Sequence, residues 1–113
     1  MVDLKYVPDR GDLIWINLDP ALGSEQNKRR PALVLSPAPY NLKTPLCLIV
    51  PITSKVKGYA WEVSLPAELM TQGVILSDQV RSVSWRVRQV SYIETVPTST
   101  VITVQAKYKK LLF

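Results

Sequence analysis

Apolar and polar positions alternate along this chain in short bursts separated by proline and glycine. In the first burst Ile14, Ile16 and Leu18 share one parity and Leu13, Trp15 and Asn17 the other. A period of two predicts a strand with its aliphatic face on a core. Residues 32–35 and 46–50 are apolar throughout, the pattern of central strands. Between them SPAPYNLKTP carries three prolines and reads as a connector. After Gly58, Trp61, Val63 and Leu65 alternate with Glu62 and Ser64, which predicts another strand. Residues 66–70 read as a short helix with proline in its first turn, stopped at Gly73. Residues 74–85 read as one long strand, and 86–96 as a further strand of mixed alternation.

From Ser99 the spacing turns helical, with Val101, Val104, Tyr108 and Leu111 on one stripe and Thr98 or Ser99 as N-cap. Lys107, Lys109 and Lys110 fall in the last turns, where positive charge complements the helix dipole. The β-branched start of this segment opposes a helix. The pattern as a whole predicts a mainly β fold: a small, strongly bent antiparallel sheet or barrel, with a C-terminal helix and a short internal one.

Composition narrows the picture. The chain has 113 residues, 47% of them hydrophobic, which fits one domain over 1–113 with a core of its own. The single cysteine, Cys47, cannot form an internal disulfide and reads as a small buried hydrophobe. No run of apolar residues is long enough to cross a membrane, and the N-terminal MVDLKYVPDRGD does not resemble a signal peptide. A cytoplasmic protein is expected.

A net charge of +5 favours an anionic partner, either nucleic acid or an acidic protein segment. The chain contains no histidine, which excludes Ser-His, Cys-His and His-ligated metal chemistry. The acids are scattered, with no cluster to hold the ions of a two-metal nuclease, and no Walker or dinucleotide-binding loop is present. No cofactor or metal is expected.

Three features could carry chemistry. The loop GSEQNKRR sets one acid, Glu25, near Lys28, Arg29 and Arg30; it reads as a solvated loop or as an anion site with arginine forks. Pro31 and the strand behind it hold Arg30 more firmly than Lys28. Asp78 shares parity with Val74, Leu76 and Val80, so simple pleating points a carboxylate inward. Either a bulge interrupts that strand or Asp78 is buried with a compensating partner. Arg81, Arg86 and Arg88 lie near Trp85, suited to phosphate contact and base stacking or to the charged outer face of a sheet.

The ordered segments GDLIWINLDPALGSEQNKRRPALVLSP, YNLKTPLCLIVPIT, KGYAWEVSL and GVILSDQVRSVSWRVR resemble the MazF/PemK family of bacterial toxins. The likeness runs from about Tyr6 to Arg88, and the final helix fits it; residues 89–98 match poorly. It implies a compact SH3-like barrel with a C-terminal helix, a homodimer, and sequence-specific cleavage of single-stranded RNA, often at an ACA-type triplet. It implies an acidic antitoxin as partner. Residue by residue, the family's loop acid falls on Glu25, its arginine before proline on Arg30, and its phosphate-contacting threonine on Thr53. Asp78 and Gln79 occupy its DQV segment, which contributes to RNA recognition or cleavage. Where relatives have Gly-His before the Arg-Pro, this chain has Lys28-Arg29.

The chemistry so implied is attack by the RNA's own 2′-hydroxyl. Glu25 is the candidate base, Arg30 the clamp on the non-bridging oxygens, and Thr53 a ligand of a phosphate oxygen. Lys28, Arg29, Arg81, Arg86 and Arg88 would contact RNA. Two alternatives share the fold: a gyrase poison resembling CcdB, and an inactive RNA binder. The first is disfavoured because no tryptophan follows Trp85.

Overall fold

The computed structural model describes residues 6–18 and 29–113. Among them seven strands and two helices follow in the order β1 (Asp12–Asn17), β2 (Arg29–Val34), α1 (Ala38–Lys43), β3 (Leu46–Thr53), β4 (Glu62–Ser64), β5 (Val74–Leu76), β6 (Arg81–Ser84), β7 (Ser91–Thr95) and α2 (Thr98–Leu112). All pairings are antiparallel, in the path β4-β5-β3-β2-β1-β7 with β6 also on β3. The mainly β expectation holds, and the apolar runs at 32–35 and 46–50 supply the two central strands.

Strand parity divides the interior into two cores. Leu13, Leu33, Val50 and Ile52 look to one side and pack with Val63 of β4, Ile75 of β5, and Val101 and Val104 of α2. Since β4 and β1 lie far apart in the strand order, their shared core requires the sheet to curl over on itself. Ile14, Ile16, Ala32, Val34, Cys47 and Ile49 look to the other side and pack with Val83, Trp85 and Val90. Each buried Leu or Ile contributes roughly 1.5–3 kcal/mol. Cys47 lies fully within this second core, where burial pushes its thiol pKa up to about 12.

Four expectations are corrected. Residues 74–85 form two strands, because the register on β3 slips: the β5 alignment would set Ile49 opposite residue 78, whereas its partner is Arg81. The extra residues form a turn closed by the Gln79 amide on the Leu76 carbonyl at 3.1 Å. Residues 85–89 form a turn in place of the start of a strand, and Gln89 adopts a φ of 53°. The short helix lies at Ala38–Lys43, inside the supposed connector, with proline in its first turn and the Asp9 carboxylate accepting from the Ala38 amide at 2.8 Å. Residues 66–70 form turns, because Glu94 takes the amides that a helix would use. Met70 and Thr71 donate to it at 3.1 and 2.7 Å.

Helix α2 forms as expected but begins at Thr98, so Thr98 and Ser99 lie inside it and its N-cap is Pro97, without a side-chain cap hydrogen bond. Val101 and Val104 are buried, Tyr108 packs against the core, and Leu111 is exposed. Among the described residues, no helix is long and apolar enough to cross a membrane.

Candidate active site

The second-core side of β2 and β3 changes character along its length. At one end Val34 pairs with Ile49, and both are fully buried. Two residues on, Ala32 pairs with Pro51, where the β2–β3 register ends. Arg30 and Thr53 lie two residues beyond that pair, each of the same parity, with Thr53 paired to Val74 of β5. Arg30 is exposed and Thr53 half-buried, so this end of the face opens to solvent. On the other flank of β3, Arg81 pairs with Ile49, shares the parity of buried Val83, and is exposed. The turn that loops out Asp78 and Gln79 leads directly into it, and both of these side chains are exposed. Asp78 is therefore not the buried acid that simple pleating predicts; the strand interruption was the alternative that holds.

The fold holds Thr53 closely. It ends β3 opposite Val74, and its Oγ1 accepts the Lys55 amide at 3.1 Å. Gly73, at φ 122°, packs against it so tightly that a Cβ there would collide with the Thr53 carbonyl. Behind the second core Asn41 is fully buried, donating to the carbonyls of Pro8 and Ser36 at 2.7 and 3.0 Å. Its own carbonyl accepts the Trp85 indole N–H at 3.0 Å. Trp85 is only 6% exposed and is not a stacking platform; the Arg86 guanidinium lies 5.0 Å from its ring centroid.

The other arginines are engaged within the chain. Arg29 pairs with Asn17 on the opposite side of β2 from Arg30, and its Nη2 donates to Ser91 Oγ. Arg88 donates through Nη1 to the Asn17 carbonyl at 2.9 Å. Glu25 and Lys28 lie outside the described residues. Among the described residues no three of His, Cys, Asp and Glu group as metal ligands would.

A family model described as PemK-like, MazF-like toxin of type II toxin–antitoxin system matches residues 9–112. The chain belongs to this family. It is 48% identical over 108 residues to the endoribonuclease toxin MazF of Escherichia coli K12, covering 96% of each chain. Crystal structures of Deinococcus radiodurans proteins share the fold. One, MazF, aligns with a TM-score of 0.87 and 48% identity over 96% of this chain and 98% of that one. A MazE–MazF complex aligns with a TM-score of 0.86 and 44% identity over 96% and 97%.

In this PemK/MazF-family toxin, cationic and aromatic side chains that sequence reasoning did not single out follow Thr53 in the chain. The segment that follows it carries Lys55, Lys57 and Tyr59, all exposed, with Lys57 Nζ 5.8 Å from the Tyr59 ring centroid. Glu62 shapes this segment by accepting the amides of Lys57 and Gly58 at 3.1 and 3.0 Å. The signal was present as two lysines just ahead of an aromatic, but Gly58 and Trp61 drew Tyr59 into an expected strand.

Proposed function

We propose that this chain, an endoribonuclease toxin by family, cuts single-stranded RNA by attack of the substrate's own 2′-hydroxyl. The observation that carries this reading is the placement of Arg30 and Thr53 just beyond the Ala32–Pro51 pair, at the open end of a sheet face, with Arg81, Asp78 and Gln79 exposed on the other flank of β3. Glu25 takes the 2′-hydroxyl proton. The freed oxygen attacks phosphorus, the bond to the 5′-oxygen breaks, and that oxygen leaves as a hydroxyl after taking a proton from solvent. Arg30, a permanent cation, stabilises charge on the non-bridging oxygens as it grows, and the Thr53 hydroxyl donates to one of them. The products carry a 2′,3′-cyclic phosphate and a 5′-hydroxyl.

Asp78, Gln79, Arg81 and the exposed Arg86 contact the bases and phosphates on either side of the cut, with Lys28 adding charge. An ACA-type triplet is the site to test first. The protein acts in the cytoplasm as a homodimer whose RNA groove draws on both copies. Leu46, Leu48 and Val80, exposed on one side of β3 and its neighbour, support such pairing. A small acidic antitoxin covers the same cationic surface, and an order-on-binding segment suits that role.

The test is incubation of the purified protein with a long single-stranded RNA in EDTA, alongside an oligonucleotide with one deoxyribose 5′ to the cut. Cleavage of the first and resistance of the second are expected. Persistent cutting at the deoxy position would contradict 2′-hydroxyl attack.

A further inference from the structure

Two consecutive arginines open β2, and they point to opposite sides of the sheet. Arg30 faces solvent at the site. Arg29 turns the other way, half-buried, and reaches across β1 from its own rung with Asn17 to Ser91, which pairs with Trp15. Its Nε is buried without a hydrogen-bond partner among the described residues, so this guanidinium is seated inside the fold. The rung is tied a second time, since the Asn17 carbonyl accepts from Arg88. Both members of the terminal rung are therefore held by residues 88–91. A strand's first residues fray unless something holds them, and Arg30 is the second residue of β2.

We propose that Arg29 and Ser91 form a positioning pair that fixes the backbone at Arg30, and that Arg29 is not an RNA phosphate ligand. The inference rests on the endoribonuclease reading for its effect on rate. With Arg29 anchored, the Arg30 side chain leaves the sheet at a fixed register. With the anchor lost, Arg30 samples positions too far from the phosphate, and small misplacements of a charge-stabilising group reduce turnover.

The test uses full-length Ser91→Ala, Arg29→Lys, Arg29→Ala and the Arg29→Ala/Ser91→Ala double variant. Ser91→Ala should lower kcat on single-stranded RNA about tenfold with KM nearly unchanged. Arg29→Lys should recover part of the rate lost in Arg29→Ala, and the double variant should be no slower than Arg29→Ala. The salt dependence of RNA binding should be the same in all. If Arg29→Ala instead weakens binding and reduces the salt slope by about 0.7, while Ser91→Ala is silent, Arg29 is a phosphate ligand and the pair is refuted.

Amide hydrogen exchange at residues 16, 17, 29 and 30 gives a readout independent of activity and should accelerate in Ser91→Ala. A wild-type chain that cuts no RNA would defeat the endoribonuclease reading. Exchange would then decide the pair alone, and unchanged protection would overturn it.

Discussion

The two ends of the β2–β3 ladder are built from the same strands, on the same side of the same sheet, yet they do opposite work. At Val34 and Ile49 the side chains are fully buried and make scaffold. At Arg30 and Thr53, just beyond the Ala32–Pro51 pair, they are polar and reach solvent. Four residues of β3 separate the two ends, about 13 Å at 3.3 Å per residue. That distance suffices for stability and chemistry to be perturbed separately. The lesson is that a short β-fold needs no separate active-site domain: letting the core run out at one strand end leaves polar side chains at the edge of a packed face.

Breaking the buried end has the largest expected effect. Ile49→Ala should cost about 3 kcal/mol through lost burial and the cavity left behind, read by urea denaturation. Cleavage per folded molecule should stay near wild type; a proportional loss of rate would mean that the two ends are not separable. At the open end Arg30→Ala should slow cleavage about 100-fold or more while leaving the urea midpoint nearly unchanged. A large stability loss there would make Arg30 a structural residue.

A smaller effect sharpens the boundary between the ends. Burial would raise the Glu94 pKa, but hydrogen bonds from the Thr71 amide and hydroxyl and the Met70 amide hold it below the ordinary carboxylate value. A depressed pKa gives stability that is present at neutral pH and lost as pH falls through the folded value. The stability of wild type over Glu94→Gln should be constant above about pH 5 and shrink below it. Denaturation curves across that range check the sign, and a difference that grows in acid would contradict it.

Much of this was legible in the sequence, and the failures have physical causes. The period of two in β1 and the continuous apolar runs of β2 and β3 are strong local signals, and they gave the sheet its centre. Helix α2 was readable from Val101, Val104 and Tyr108 despite its β-branched start, because packing on the first core overrides propensity. The helix expected at 66–70 failed because its competitor, Glu94, is more than twenty residues away in the chain. The prolines around Ala38 hid α1, although proline is tolerated in a first helical turn.

At the site, Arg30 and Thr53 were identified by resemblance, but their place at the end of one sheet face depends on strand register, which no local pattern reveals. Parity alone could not choose between an inward Asp78 and an interrupted strand; the slipped register on β3 decides for the interruption. Arg29 and Ser91 were invisible as a pair, since they meet only across β1. They also come from the Lys28-Arg29 position and the stretch 89–98, the two places where the chain departs from the family pattern.

The central claim is that Arg30 and Thr53 act together on one phosphate. A double-mutant cycle in single-turnover RNA cleavage tests it most directly, using Arg30→Ala, Thr53→Ala and the combination. Groups that stabilise the same transition state are non-additive, so the double variant should lose less than the product of the two single losses. A coupling of roughly 0.5–3 kcal/mol is expected. Losses that multiply without coupling would place the two residues on separate tasks and contradict the account.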